Sequence, residues 1–278
     1  MTMIDNLLDT LPYDILSLIA SKLDYKNMIN LSKATKKEYN DCDYSYILSK
    51  ESFMKIDRKF HKKMRIEYTI SKNDIHLYKE VNSIMALDND VSDINDLKDI
   101  INLCCSFTRI NNLEKFTKLE TLVCNSSQLT NISNSINLRE LYCSCTYISN
   151  INMLTKLIIL KCDYTNINDV SSLVNLKELY CQYTNIKDIS KLVNLEILDC
   201  CYNDYIIDVS NNTKLNVLYC IKSNISEINM LINLEILNCI STNITKIDNL
   251  NKLKTIYCGD TNIDITKLIE RTDIRLFY

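Results

Sequence analysis

The sequence predicts an α/β solenoid built on a parallel β-sheet, and two regularities support this prediction. Cysteines recur with a 19-residue period from Cys105 to Cys200 and, after one 20-residue step, from Cys220 to Cys258. Apolar residues also recur at fixed positions around each of these cysteines, which we call the repeat cysteines. A single coil of this length cannot bury its apolar edge, whereas stacked coils bury a continuous core.

One coil illustrates the predicted elements. In "NLKELYCQYTNIKDISKLV" the apolar positions are Leu176, Leu179, Cys181, Ile186, Ile189 and Leu192. The L-x-x-L-x-C part ends in alternation with period 2, which predicts a short strand. The I-x-x-I-x-x-L part turns inward at every third residue, which predicts a 3₁₀-like or extended return.

The same register extends over residues 81–278. Val81, Ile84 and Ala86 match the first clear coil, so that ten coils follow one another. Ile274 and Leu276 are the inward residues expected for a truncated eleventh strand. Because such short coils leave little room for a helix opposite the sheet, we predict a weakly curved solenoid.

Residues 81–276 resemble the leucine-rich repeat family, with cysteine in place of the third strand leucine. The family usually carries an asparagine just after the strand, where its side chain binds backbone groups. Here that position, three residues after the cysteine, holds Ser127, Thr146, Thr165, Thr184, Asn203, Ser223, Thr242 and Thr261. Hydroxyls at this position can bond neighbouring amides in a similar way, so we interpret the pattern as structural.

The row of cysteines raises three possibilities, which are reactive thiols, a metal array and packing. Zinc sites commonly use paired C-x₂₋₄-C or Cys/His sets, and the chain has no C-x-x-C motif. A nucleophilic cysteine needs a base, and both histidines, His61 and His76, precede the whole row. A buried thiol behaves as a small apolar group. We therefore predict packing, with no catalytic residue, no metal and no cofactor.

The N-terminal residues 7–41 predict amphipathic helices. Pro12 stands where a first helix begins, and the apolar stripe that follows contains Ile15, Leu16, Ile19 and Leu23. Met28 and Leu31 begin a second stripe after the turn at residues 23–27.

This segment resembles the F-box family. The residues that carry the resemblance are Leu11, Pro12, Ile15, Leu16, Ile19, Leu23, Asp24, Met28, Leu31, Lys33, Thr35, Lys36 and Tyr39. The sequence departs from the family at Ala34-Thr35, where a hydrophobic-Cys pair is frequent, and has no Trp near Tyr39.

The F-box resemblance implies a small all-α domain over residues 1–41 that docks onto the Skp-type adaptor of a cullin ubiquitin ligase. The remaining chain would then recruit a protein substrate. The implied adaptor-binding residues are Leu11, Pro12, Ile15, Leu16, Ile19, Leu23, Met28 and Leu31. The alternative is that these helices only cap the solenoid. Residues 42–80, which have mixed helical patterning without the repeat, are expected to form a helical bridge.

Composition narrows the function further. The formal net charge is −3 and the basic residues are dispersed, which argues against nucleic-acid binding. The chain has one glycine, which argues against glycine-rich phosphate loops. It lacks an apolar run of about 18 residues and its N-terminus is acidic, so we expect no membrane span, no signal peptide and a cytoplasmic protein. The abundance of Asn, Ile, Lys, Leu and Tyr suggests an AT-rich coding genome. Together with the F-box resemblance, this suggests an AT-rich eukaryote or a large DNA virus, and for a virus we expect the protein in the host cytoplasm.

The remaining expectation is recognition of a protein by the outward residues of the strands, one and three positions before each repeat cysteine. The candidate partner-binding residues are Tyr142, Ile159, Tyr180, Ile197, Val217, Tyr219, Ile236 and Tyr257. Exposed tyrosines and aliphatic residues suit a protein-binding surface. The alternative is ordinary strand propensity in a chain rich in Tyr and Ile.

Overall fold

The computed structural model describes residues 45–47, 54, 64–66, 72–79, 81–84, 97, 99–269 and 272–278. Within these residues, 13 strands form one sheet whose strand order follows the chain. The neighbouring strands pair in parallel. The expected F-box-like domain, residues 1–41, lies outside the described residues.

The strands are short. They are β1 (Ser45–Ile47), β2 (Met64–Ile66), β3 (Ser83–Ile84), β4 (Asn102–Cys104), β5 (Thr121–Val123), β6 (Glu140–Tyr142), β7 (Ile159–Lys161), β8 (Glu178–Tyr180), β9 (Ile197–Asp199), β10 (Val217–Tyr219), β11 (Ile236–Asn238), β12 (Thr255–Tyr257) and β13 (Arg275–Phe277). A 3₁₀ helix spans Lys72–Tyr78 and an α-helix, α1, spans Thr266–Ile269. In the described part of the chain, no helix has the length and apolarity needed to cross a membrane.

The predicted parallel solenoid is confirmed. The strands β4 to β12 begin at a regular 19-residue interval, with one 20-residue interval between β9 and β10. β3 begins one 19-residue interval before β4, as expected for the first coil. Part of that first coil, residues 85–96 with Ala86, lies outside the described residues.

The sheet extends further towards the N-terminus than residue 81. The segment 42–80, expected to be a helical bridge, contains the 3₁₀ helix but also contributes β1 and β2 to the sheet. Ser45 pairs with Met64, one 19-residue interval later, so β1 and β2 are spaced as in the repeat. No repeat cysteine marks these two strands, which is why the sequence pattern did not reveal them.

The inward positions of the described coils are buried as predicted, except that Ile247 and Ile265 are partly buried. In the coil around Cys181 all six apolar positions are at most 1% exposed. The return from the strand consists of tight turns, since the N–H of Leu192 donates to the carbonyl of Ile189 at 2.9 Å and that of Leu195 to Leu192 at 3.1 Å. These i to i+3 bonds are the predicted 3₁₀-like return.

The repeat cysteines form a buried column, which confirms the packing prediction. Their side chains are 0–4% exposed from Cys105 to Cys258. Four of the thiols, among them Cys162 and Cys220, lie 3.4–3.6 Å from the carbonyl oxygen of the next coil, within reach of a weak S–H···O bond. Burial raises the pKa of the Cys143 thiol to about 12, with the nearby Asp163 carboxylate as a second cause. The column therefore remains protonated and apolar at neutral pH.

The last strand is the predicted truncated one. Leu276 of β13 pairs with Ile256 of β12. Leu276 and Ile274 are partly buried against the core. The outward Arg275 is exposed.

Candidate protein-interaction face

The first and third residues of each strand point away from the core and together form what we call the sheet face. In β4 to β12 these residues are half-buried, while the middle residue is buried. All eight candidate partner-binding residues lie on this face. Since the strands pair in register, residues at equivalent positions form rows across the sheet, and these rows decide which candidates are neighbours.

One row contains a continuous aliphatic stretch. Val217 pairs with Ile197 on one side and with Ile236 on the other. Ile159, by contrast, lies between Glu140 and Glu178 and is separated from the other aliphatic candidates. The structure therefore brings together three of the four predicted aliphatic residues.

The tyrosines of the face are not adjacent to one another. Lys161 lies between Tyr142 and Tyr180, and its Nζ atom is 4.1 Å from the ring centroid of Tyr180 and 5.6 Å from that of Tyr142. These distances define cation–π contacts. At the other end, Tyr257 stacks on Phe277, with ring centroids 4.4 Å apart. Lys161 and Phe277 were not among the predicted site residues, because those were chosen by residue type and not by neighbourhood.

Glutamate side chains lie beside the two tyrosines that flank Lys161, and they make this half of the face negatively charged. The hydroxyl groups of Tyr142 and Tyr180 lie 3.4 Å from carboxylate oxygens of Glu140 and Glu178. Desolvation, followed by the Glu140 carboxylate, raises the pKa of Tyr142 to about 12. The pKa of Tyr180 is also raised, by desolvation and then by Glu178. Both phenols therefore stay protonated and can donate hydrogen bonds at neutral pH.

A row of polar residues borders the face immediately after the repeat cysteines. Asp163 accepts hydrogen bonds from the backbone N–H of Gln182 at 2.8 Å and from the Ser144 hydroxyl at 3.2 Å. The amide group of Gln182 in turn donates to Asp199 at 2.8 Å. Partial burial raises the pKa of Asp163, although these hydrogen bonds oppose the rise. This row fixes side chains between coils and adds carboxylates beside Lys161.

The hydrogen bonds in the turn after each strand differ from the expectation that the Thr and Ser hydroxyls bind neighbouring backbone amides. The threonine hydroxyls three residues after the cysteines donate to the cysteine carbonyl, as Thr146 does to Cys143 at 2.7 Å. The expected amide contacts occur at longer range, for example 3.5 Å from Leu129 N to Ser127 Oγ. Asn203 has the pattern described above for leucine-rich repeats, since its Oδ1 atom accepts hydrogen bonds from the backbone N–H groups of Tyr205 and Ile206. A hydroxyl can donate, so threonine satisfies a carbonyl where asparagine satisfies amides.

The residue two positions after each repeat cysteine adopts a left-handed conformation. The φ angles lie between 50° and 61° at Phe107, Ser126, Cys145, Tyr164, Tyr183, Tyr202, Lys222, Ser241 and Asp260. Sequence reasoning missed this position because no glycine marks it. The side chains at three successive positions, Tyr164, Tyr183 and Tyr202, are exposed tyrosines that stack on one another. A comparison of the residues two positions after each repeat cysteine would have revealed these three successive tyrosines.

The predicted adaptor-binding residues, Leu11 to Leu31, lie outside the described residues, so their role stays a prediction. Among the residues that the structure does describe, no cluster of three or more His, Cys, Asp or Glu side chains could hold a metal ion.

The sheet, its 19-residue coils and the inward leucines define a leucine-rich repeat solenoid. Solved structures with this fold are similar to the chain. The functional domain of InlJ from Listeria monocytogenes, which includes a cysteine ladder, matches with a TM-score of 0.65 and 24% identity over 74% of this chain. The match covers 50% of that chain, so the present chain corresponds to about half of it.

Two further structures cover more of their own length. An internalin, InlF from Listeria monocytogenes, matches with a TM-score of 0.62 and 18% identity over 82% of this chain and 92% of that one. A leucine-rich repeat protein of Leptospira interrogans matches with a TM-score of 0.59 and 16% identity over 80% of this chain and 74% of that one. No protein-family model matches the chain, and no curated protein does. At these identities the likeness concerns the fold alone.

Proposed function

We propose that the chain is a non-catalytic module that binds a partner protein across its sheet face. The observation that carries this proposal is the aliphatic stretch of Ile197, Val217 and Ile236, which lies on a half-buried, regular surface beside tyrosines. Aliphatic and aromatic side chains held by paired strands form a rigid surface, so little side-chain entropy is lost on binding.

The charge distribution suggests the chemistry of the partner. Glu140, Glu178 and Asp199 lie on strands within two positions of the strand of Lys161, and Asp163 follows Lys161 in the same coil. Carboxylates therefore outnumber the cation on this half of the face, next to the aliphatic stretch. A protein with an apolar patch flanked by basic residues would complement both halves.

A comparison of two valine variants tests this proposal. Val217→Lys places a charge in the aliphatic stretch, and Val193→Lys places the same charge on an exposed valine away from the strands. Partners that co-purify with the parent protein should be lost with Val217→Lys and retained with Val193→Lys, as measured by quantitative mass spectrometry. Identical sets of bound proteins for both variants would contradict the proposal.

The more specific role we propose is recruitment of this partner to a cullin-type ubiquitin ligase. It is supported by the resemblance of residues 11–39 to an F-box, which lies N-terminal to the solenoid. A purified Skp-type adaptor should bind the parent chain and fail to bind the double variant Leu11→Asp, Ile15→Asp. Val193→Asp serves as the control and should bind normally.

A cap is the alternative role for the N-terminal helices, and the chain would then be a leucine-rich repeat scaffold. In that case the adaptor would ignore the intact protein, while deletion of residues 1–41 would cause aggregation by exposing the end of the core. The two roles thus predict opposite results in the same adaptor-binding assay.

A further inference from the structure

Three exposed tyrosines form a regular stack beside the ends of β7, β8 and β9. The ring centroids of Tyr164 and Tyr183 are 4.5 Å apart with an interplanar angle of 16°. Those of Tyr183 and Tyr202 are 4.8 Å apart at 9°. The backbone N–H of Tyr164 donates to the carbonyl of Gln182 in the next coil at 3.0 Å. The spacing of the coils, about 4.8 Å, therefore sets the spacing of the rings.

The two ends of this stack differ. Beyond Tyr202 the next coil supplies Lys222, whose Nζ atom lies 5.5 Å from the Tyr202 ring centroid. Beyond Tyr164 the equivalent residue is Cys145, which carries no ring. The stack thus has a cation over one end and an open ring face at the other.

An open cleft of about 380 Å³ lies at the Tyr164 end of the stack. It is lined by Cys145, Thr146, Tyr147, Tyr164 and Asn166. Tyr164 and Tyr147 are 56% and 70% exposed, so both rings are available to a ligand. The Thr146 hydroxyl already donates to the Cys143 carbonyl. These five lining residues carry no charged side chain, which favours an uncharged ligand.

We infer that this cleft binds an aromatic side chain of the partner protein, which stacks on Tyr164 as a fourth ring. A planar ring has the shape that the coil spacing leaves free above Tyr164, and stacked aromatic rings attract one another beyond simple area burial. The Cys145 sulfur is polarizable and suits contact with a ring edge. The cleft also lies near the sheet face, since Tyr142 of β6 is only three residues before Cys145.

This inference rests on the proposed function in that the ring belongs to a protein bound across the sheet face. The cleft itself can be tested without that protein, because Cys145 is exposed at its wall. A thiol compound joined to Cys145 by disulfide exchange is retained more strongly when its remaining part binds the cleft.

In the experiment, the full chain is equilibrated with disulfide reagents made from three different thiols. The concentration of 2-mercaptoethanol, which reduces the mixed disulfide with Cys145, is then increased. The thiols are 2-(indol-3-yl)ethanethiol, 2-cyclohexylethanethiol and 1-thioglucose. Peptide mass mapping measures the fraction of modified Cys145. We expect the indole compound to withstand at least about fivefold more 2-mercaptoethanol than the cyclohexyl compound, since the latter is apolar but not planar.

Variants then assign this preference to the ring face. Tyr164→Ala, and Tyr164→Leu, which keeps bulk but not planarity, should abolish the preference for indole. Tyr202→Ala, at the opposite end of the stack, should preserve it. Equal retention of all three compounds, preference for thioglucose, or a preference that survives both Tyr164 variants would overturn the inference. The disulfide-exchange experiment contains no partner protein. A negative result would therefore leave the outcome of the co-purification test of the sheet face unaffected.

Discussion

The hydroxyl group of Thr165 donates a 2.6 Å hydrogen bond to the backbone carbonyl of Cys162. The same bond, at 2.6–2.8 Å, recurs in five other coils, at Thr108, Thr146, Thr184, Thr242 and Thr261. It closes the turn around the left-handed Tyr164, where the chain leaves the strand. One side chain thus stabilises the turn of each of these coils without glycine.

Replacement of this hydroxyl should weaken the solenoid. Thr165→Val keeps the shape but removes the donor, so we expect the free energy of unfolding to fall by about 1–2 kcal/mol. The variant Thr165→Ser, which keeps the donor, should lose less. Urea unfolding followed by circular dichroism measures both. A loss with Thr165→Ser but none with Thr165→Val would show that the methyl group, and not the hydrogen bond, matters.

The buried cysteine column predicts a loss of stability at alkaline pH. The pKa of Cys143 is raised from 9.0 to about 12 in the folded protein. Between these values the unfolded chain releases a proton that the folded chain retains, so the free energy of unfolding falls as pH rises above about 9. Cys143→Ala should reduce the steepness of this fall by up to about 1.4 kcal/mol per pH unit.

The matched control for this pH dependence is Cys145→Ala, since that thiol is exposed and lies two residues further on. Urea unfolding at a series of pH values from neutral to about 11 measures the slopes. The same slope for the parent, Cys143→Ala and Cys145→Ala would contradict the role of the buried thiol.

Asn212 is a buried residue whose replacement should stabilise the protein. Its Nδ2 group donates to the carbonyls of Ile189 and Leu192, but its Oδ1 atom accepts no hydrogen bond from any described residue. Both carbonyls already accept backbone N–H groups, from Leu192 and Leu195. Asn212→Leu, which introduces the residue of most other coils at this position, should therefore raise the free energy of unfolding by roughly 1–2 kcal/mol.

The reverse change in the neighbouring coil provides the control for Asn212. Leu192→Asn buries an amide in place of a fully buried leucine and should cost roughly 2–4 kcal/mol. Thermal unfolding of both variants ranks them against the parent. If Asn212→Leu melted lower than the parent protein, the amide would be a net stabilising group.

A tyrosine at position 145 should extend the stack. In Cys145→Tyr the new ring would lie one coil from Tyr164, at a φ of 57° that is close to the 56° of Tyr164 itself. We expect a gain of about 0.5–1.5 kcal/mol in the free energy of unfolding relative to Cys145→Ala, measured by urea unfolding.

Ser241 provides the control for the longer stack. Its φ of 56° matches that of Tyr164, but Lys222 and Asp260 occupy the equivalent positions in the two adjacent coils. Ser241→Tyr can therefore form no ring stack there, and its gain over Ser241→Ala should be smaller. Equal gains at positions 145 and 241 would show that stacking on Tyr164 contributes nothing.

The sequence predicted the coils well because their signal is repeated many times. A slip of one residue would expose Leu179 and Cys181 and bury Tyr180, so the apolar pattern fixes which side of each strand faces the core. The single 20-residue step between Cys200 and Cys220 was visible for the same reason. The strands at residues 45–47 and 64–66 lack the cysteine that marks β4 to β12, and no other part of the repeat pattern indicated them.

The candidate site was predicted less completely, because its properties depend on neighbours in different coils. The sequence identified Ile197, Val217 and Ile236 as outward residues, and their pairing makes them one surface. It did not identify Lys161, which acquires its role from the two tyrosines of the adjacent coils. The tyrosine stack was missed because a left-handed turn was not expected where no glycine occurs.

The most direct test of the proposed function is site-specific photocrosslinking from the sheet face in cells. A photoreactive phenylalanine analogue replaces Val217 in one protein and the exposed Val193, away from the strands, in another. Binding across the sheet face predicts discrete crosslinked partners from position 217 and none of the same partners from position 193. Crosslinks to the same proteins from position 193, with none from position 217, would contradict it.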